Sequence, residues 1–155
     1  MLSRLSRRAI ISSPAAAGIL ALVAGAPQAA HAATMSFSVP LSGAQQVPPV
    51  KTAGHGSAHL TFNPANDMLT WDVTYAGLSS PATMAHIHTG AAGKNGGVDI
   101  WLSKKGHAVM SPIKGSAKLT AAQVKLMMAG DLYINVHTKK HPAGEIRGQI
   151  VPPKG

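Results

Sequence analysis

The sequence is poor in the residues that most enzymes and nucleic-acid-binding proteins use. It contains no cysteine, five carboxylates, and two each of tryptophan, tyrosine and phenylalanine among 155 residues. Without cysteine, neither a disulfide nor a thiolate metal site can form. No Ser-His-Asp order and no neighbouring pair of carboxylates is present for hydrolytic chemistry. The scarcity of aromatic residues argues against a nucleic-acid-binding surface, on which basic and aromatic side chains alternate.

The N-terminal segment has the features of a secretory signal peptide. Arg4, Arg7 and Arg8 precede an apolar run at 19–25, and a small-x-small cleavage pattern follows at 30–32. The apolar run is too short to act as a permanent membrane anchor. We therefore expect residues 1–32 to be removed, leaving one domain at 33–155 with no integral membrane segment. The adjacent arginines leave both the Sec and the twin-arginine route open, and the protein is predicted to be exported, either periplasmic or secreted.

The predicted mature chain is basic. Three arginines leave with the signal peptide, so eleven Lys and Arg face five carboxylates, a net charge of +6. The lysines are spread along the chain rather than clustered, which favours a small anionic substrate or an anionic surface over nucleic acid. The composition leaves the oligomeric state open.

Short β-like runs separated by Gly, Pro, Asn and Ser predict an all-β sandwich or barrel with about eight strands. One short helix is expected at 121–128, because Thr120 and Gln123 form a capping box and Gly130 supplies a stop. The predicted strands are 35–41, 57–63, 68–75, 84–88, 98–102, 115–119, 132–138 and 145–151.

Two histidines one residue apart are the strongest chemical signal. Side chains alternate faces along a strand, so His86 and His88 point the same way, with their backbones roughly 6.5 to 7 Å apart. His137 lies on the polar face of a later predicted strand, and His141 follows it by four residues. Such an all-imidazole set suits copper or zinc rather than calcium or magnesium. The alternative is that these are solvated histidines that never meet.

The other candidates have plainer interpretations. His55 and His59 return to the same face of one strand but lie some 13 Å apart, which favours separate surface histidines. His107 is interpreted in the same way. Arg147 occupies a polar strand face, either beside a metal or paired with Glu145 two residues away.

Five motifs, in order along the chain, resemble the CHRD family, named for chordin and widespread in exported bacterial proteins. The likeness covers about 37–151 and implies an exported domain without implying a particular activity. The motifs are LSGAQQVPPV at 41–50, AHIH at 85–88, LTAAQ at 119–123, YINVHT at 133–138 and HPAGEIRGQ at 141–149.

The order of His-x-His, a late Val-His and a following Arg is also similar to copper/zinc superoxide dismutase. This resemblance implies a Greek-key β-sandwich in which His86, His88 and His137 bind copper. It also implies that Arg147 attracts the anionic substrate, superoxide. The fourth copper ligand has no clear match, so His141 is the first choice and His55 the second. No His/Asp cluster lies between His88 and His137, so one copper ion and no zinc site is expected.

Two hypotheses follow from these observations. In the first, the exported domain binds one copper ion through His86, His88, His137 and His141, and Arg147 assists catalytic dismutation of superoxide if a coordination position stays open. In the second, the domain is a non-catalytic module that contacts a surface polymer or partner, or that buffers copper. A free coordination position separates a catalyst from a store.

Overall fold

The computed structural model describes residues 33–154, so the predicted signal peptide lies outside the described residues. The chain is all-β with one short α-helix, as the sequence predicts. A 3-10 turn at Gly43–Gln45 follows the first strand. The elements are β1 Met35–Ser42, β2 His55–Asn63, β3 Met68–Ala76, β4 Ala82–Thr89, β5 Val98–Trp101, β6 Ile113–Lys118, α1 Ala121–Ala129, β7 Leu132–Thr138 and β8 Ile146–Ile150.

The eight strands form one antiparallel sheet in the order β5-β4-β7-β8-β1-β2-β3-β6. The sheet has a weak seam, because β1 and β8 share only the pair Ser42 and Arg147. The seam separates a β4/β7 half (β5, β4, β7, β8) from a β2/β3 half (β1, β2, β3, β6). The indole N–H of Trp71 in β3 donates to the carbonyl of Leu102 after β5, at 3.3 Å. The curled sheet therefore brings its two halves together, as in a β-sandwich.

The inner faces of both halves form one hydrophobic core. Leu60 and Leu69 from the β2/β3 half and Ile87 and Ile134 from the β4/β7 half are all fully buried. Burying an aliphatic side chain of this size contributes about 1.5 to 3 kcal/mol relative to leaving it exposed. In these strands the apolar residues occupy alternate positions, so the core determines which side chains must point outward.

The helix has the predicted ends. The Thr120 hydroxyl accepts a hydrogen bond from the Gln123 backbone at 3.2 Å, and the Gln123 side chain accepts one from the Thr120 backbone at 2.8 Å. Gly130 stops the helix with φ at +78°, a left-handed conformation that favours glycine. Among residues 33–154, no helix is long and apolar enough to span a membrane.

Candidate metal centre

The outer face of the β4/β7 half is covered by loops. The side chain of Gln46 donates to Asn135 in β7 at 2.8 Å, and Asn135 donates to the carbonyl of Ala143 at 3.3 Å. From the glycine-rich loop at 90–97, Asn95 donates to the carbonyl of Val47 at 2.6 Å. As a result every residue of β7 is buried, although the strand alternates polar and apolar side chains.

Three histidines meet beneath these loops. His86 and His88 extend from β4, and His137 extends from the neighbouring strand β7. Nδ1 of His86 lies 3.2 Å from Nε2 of His137, and Nε2 of His88 lies 3.4 Å from the same atom. One donor nitrogen from each ring lies within 4.8 Å of the others, and the side chains are only 3%, 7% and 6% exposed. This arrangement suits one metal ion.

The neighbouring carbonyls determine which nitrogens of His88 and His137 carry a proton. Nδ1 of His88 lies 3.2 Å from the carbonyl oxygen of Gly96, and Nδ1 of His137 lies 2.9 Å from that of Pro142. A carbonyl oxygen only accepts, so in the neutral rings both Nδ1 atoms are assigned the proton and both Nε2 atoms present a lone pair. The 3.4 Å contact between the two Nε2 atoms is therefore a contact between two acceptors. A cation between them would bind both lone pairs.

The histidines are held in the neutral form that binds metals. Burial, followed by the charges of His137 and His88, lowers the pKa of His86 to about 4. The pKa of His88 is also lowered, mainly by burial and further by the positive charges of His137 and Arg147, against the opposing effect of the Gly96 carbonyl. Burial lowers the pKa of His137 despite its bond to Pro142. Metal binding at neutral pH therefore requires little proton release.

Aromatic rings hold the histidines in place. The ring of Tyr133 stacks on His88 with centroids 5.0 Å apart and planes within 8°. The ring of Trp101 meets His86 edge to face at a centroid distance of 4.2 Å. Sequence reasoning did not assign either residue to the site. Both could be assigned only once the pairing of the strands was known, because His86 lies opposite Trp101 on β5 and His88 lies opposite Tyr133 on β7.

Arg147 is buried rather than open to solvent, with 1% of its surface exposed. Its guanidinium carbon lies 3.5 Å from the centroid of the Tyr133 ring. Its N–H groups donate to four neutral oxygens: Oδ1 of Asn95 at 3.2 Å, the carbonyls of Ala91 at 3.3 Å and Lys94 at 2.9 Å, and Oε1 of Gln149 at 3.1 Å. Arg147 thus fastens the glycine-rich loop over the site.

Glu145 is also fully buried and has its own partners instead of Arg147. Its carboxylate accepts hydrogen bonds from the hydroxyls of Thr52, Ser79 and Thr138 and from the backbone N–H of Ser79, all between 2.6 and 2.8 Å. Burial alone would raise the pKa of Glu145, but these hydrogen bonds outweigh it and lower the pKa. Sequence reasoning missed this buried carboxylate.

The two candidates for a fourth ligand lie outside the three-histidine group. His141 is half-buried in the turn after β7, and its backbone carbonyl accepts from the N–H groups of Thr138 and Gly144. His55 is exposed, and its Nδ1 lies 3.0 Å from the carbonyl of Ala53. His59 is exposed near Ser38, as the sequence interpretation favoured. The structure therefore brings together three of the four histidines predicted to bind the metal.

The fold and the site together define a small all-β domain with a buried group of three histidines. Residues 37–150 match the family model for the CHRD domain. The chain belongs to this family, which confirms the resemblance inferred from its motifs. No match to the chain was found among curated proteins or among solved structures.

Proposed function

We propose that this protein is an exported copper-binding domain that holds one copper ion through His86, His88 and His137. The observation that carries the proposal is the meeting of two unprotonated Nε2 atoms at 3.4 Å, with Nδ1 of His86 beside them. Buried polar atoms in folded proteins almost always have a partner. Nε2 of His88 faces only the lone pair of His137, and Nε2 of His86 has no hydrogen-bond partner among the described residues. A metal ion bound by the three rings would supply a missing partner.

Copper is the metal that this donor set favours. The group contains imidazoles and no carboxylate among the residues described, which disfavours the oxygen-seeking ions calcium and magnesium. At a nitrogen site copper binds more tightly than the other common divalent ions of the first transition row. Zinc also accepts imidazole, so a direct comparison of the two metals belongs to the test.

The site is better suited to holding copper than to turning over a substrate. The three histidines are almost fully buried, and Tyr133 lies between His88 and Arg147. Superoxide dismutation is the second candidate. In its favour, Arg147 lines a surface pocket of about 240 Å³, where it could attract an anion. The three histidines do not line that pocket, so an anion held there would be separated from the metal.

Binding outside the cell agrees with the family assignment, because CHRD domains are typically extracellular. Outside the cell, thiols tend to be oxidised, and a copper site built from histidine in a chain without cysteine is not affected by that oxidation. The proposed role is therefore storage or buffering of copper beyond the inner membrane, or presentation of copper to a partner.

Metal analysis combined with electron paramagnetic resonance (EPR) tests the proposal. The purified protein should bind one copper ion per chain and give a nitrogen-rich EPR signal in the oxidised state. A double variant, His86→Ala with His88→Ala, should lose both, whereas the surface variant His59→Ala should keep both. Protein that stays metal-free and unchanged when copper is added would contradict the proposal.

Two additional variants settle the finer points. His141→Ala should leave the copper stoichiometry unchanged if three ligands suffice, and should reduce it if His141 is the fourth ligand. A superoxide assay on the copper-loaded protein, compared with Arg147→Ala, tests the second candidate. A rate no higher than that of the metal-free protein would exclude dismutation.

A further inference from the structure

Arg147 is a buried positive charge whose hydrogen-bond partners are neutral. Its four partner oxygens belong to two side-chain amides and two backbone carbonyls. Among residues 33–154 the only ion pair joins Lys114 and Asp72, on the other half of the sheet. No carboxylate lies within ion-pair distance of Arg147, and Glu145, two residues away, is engaged by the hydroxyls of Thr52, Ser79 and Thr138 instead. The guanidinium charge is therefore not directly paired, and its field acts on its surroundings.

This charge lies one aromatic ring away from a proposed ligand. Strand β7 runs between β4 and β8, so Tyr133 separates His88 on one side from Arg147 on the other. The ring of Tyr133 stacks on His88 and contacts the guanidinium at 3.5 Å. The positive charge of Arg147 also contributes to the lowered pKa of His88.

A metal ion in this position is subject to repulsion that grows with its own charge. Coulomb energy scales with the product of the charges and is larger in a buried site than in water. Three neutral imidazoles carry no net charge, so they do not offset this repulsion. A divalent ion therefore suffers twice the repulsion that a monovalent ion suffers.

The number of ligands also favours a monovalent ion, copper(I). Copper(II) prefers four ligands in a tetragonal arrangement, and zinc prefers four in a tetrahedron. Copper(I) is satisfied by two or three. The group offers three nitrogens, and the low exposure of its side chains limits the access of water as a fourth ligand.

We infer that Arg147 is a specificity-determining residue that makes the three-histidine site select copper(I) over copper(II) and zinc(II). The inference rests on the proposed function, because it requires that the site bind a metal.

The test is a chelator-competition titration of the wild-type protein with copper(I), copper(II) and zinc(II), repeated on Arg147→Gln and Arg147→Lys. The wild type should bind copper(I) at least a hundredfold more tightly than zinc(II). Arg147→Gln should reduce that ratio about tenfold, because the charge is lost. Arg147→Lys should retain it, because the charge remains. Ratios of affinities are compared because loosening of the loop would weaken the binding of all three ions by a similar factor.

The potential of the copper-loaded protein gives an independent readout. Loss of the positive charge stabilises copper(II) relative to copper(I), so Arg147→Gln should lower the midpoint potential. A tenfold change in the affinity ratio corresponds to about 59 mV for a one-electron couple. Arg147→Lys should stay close to the wild type.

Asn95→Asp provides a second variant in case Arg147→Gln fails to fold. It keeps Arg147 and places a carboxylate at the position that now accepts its hydrogen bond at 3.2 Å. It should reduce the ratio of copper(I) affinity to zinc(II) affinity, as Arg147→Gln does. An unchanged ratio of copper(I) to zinc(II) affinity in folded Arg147→Gln or Asn95→Asp, or equal binding of the three ions by the wild type, would overturn the inference and leave the proposed function intact. Absence of binding by all three ions would overturn both.

Discussion

The two halves of the sheet each carry a histidine in the middle of a four-residue row, and the two rows have different environments. Across the β2/β3 half the row is Ser38, His59, Asp72 and Lys114. Across the β4/β7 half it is Trp101, His86, Asn135 and Arg147. The residues of the first row are exposed except for the half-buried Asp72, and the side chain of His59 has one hydrogen-bond contact among the described residues, with the hydroxyl of Ser38 at 3.5 Å. In the second row all residues but Trp101 are buried.

The difference lies in the loops rather than in the strands. The outward-facing side chains of β2 and β3 are exposed or half-buried, whereas three loops cover the β4/β7 half and bury its polar groups. Once covered, each polar group needs a partner from the protein or from a ligand. The comparison shows that burial by the loops distinguishes the histidines of the β4/β7 half, which are candidate metal ligands, from a solvated strand histidine such as His59.

The largest expected effect separates the histidines of the two halves. His137→Ala should weaken copper binding by about a thousandfold, since it removes the ring whose Nε2 lies within 3.4 Å of a nitrogen of each of the other two. His59→Ala should bind copper as the wild type does. Isothermal titration of both variants with copper provides the measurement, and equal losses in the two would refute the assignment.

A second comparison uses one carboxylate from each half. Glu145→Ala should lower the free energy of unfolding by about 3 kcal/mol, because the fully buried carboxylate is lost and four donors, including the buried hydroxyl of Thr138, lose their acceptor. Asp72→Ala removes only a partly exposed ion pair with Lys114 and should cost less than about 1 kcal/mol. Urea unfolding of both proteins measures the difference. Similar values would mean that the Glu145 network adds no stability beyond a surface pair.

A third prediction concerns the cover itself. A methyl group on Gly96 would lie 1.7 Å from the carbonyl oxygen of Thr89, so Gly96→Ala must displace the loop whose carbonyl orients His88. Loss of such an orienting partner typically costs ten- to a hundredfold in metal affinity. Gly97→Ala is the matched control, because nothing lies within 4 Å of the added methyl group. Copper titration should distinguish the two neighbours, and unchanged affinity in Gly96→Ala would show that the loop does not position His88.

The smallest effect is a pH dependence of the metal-free protein. The pKa of His86 is lowered to about 4, so below its ordinary value of about 6.5 the unfolded chain takes up a proton that the folded protein does not. Stability present above pH 6.5 should therefore fall as the pH decreases toward 4. Glu145, whose pKa is lowered from 4.5, adds its own loss only at lower pH.

Unfolding at pH 7 and pH 5 checks this dependence. His59→Ala should show the same loss of stability as the wild type, and the double variant His86→Ala with His88→Ala should show a smaller one. A wild-type protein that is equally stable at both pH values would contradict the lowered pKa of His86.

Much of the fold was predictable because its signals are local. Alternation and turn residues located all eight strands with ends within two residues of those observed, and the capping box located the helix. His86 and His88 were placed on one face because two residues along a strand always return to the same side. That His137 would join them could not be derived from periodicity, since it depends on the pairing of β7 with β4.

The burial of the outer face was not predictable from alternation. The alternating polar pattern of β7 is typical of a strand with one solvent-exposed face, but the loops that cross this face bury it. For the same reason, sequence reasoning considered a pair between Glu145 and Arg147, whereas each is buried in a separate network. It assigned no role in the site to Tyr133 or Trp101.

The amino-acid sequence by itself determined the all-β class, the strand positions, the helix ends, the CHRD family and the shared face of His86 and His88. Each of these depends on residues close together in the chain or on motifs that can be read directly. Only the tertiary structure decided that His137 completes the group, that His141 lies outside it, and that Arg147 stacks behind Tyr133. Those outcomes depend on strand order and on loops that return across the sheet, where burial and hydrogen-bond satisfaction are properties of distant segments acting together.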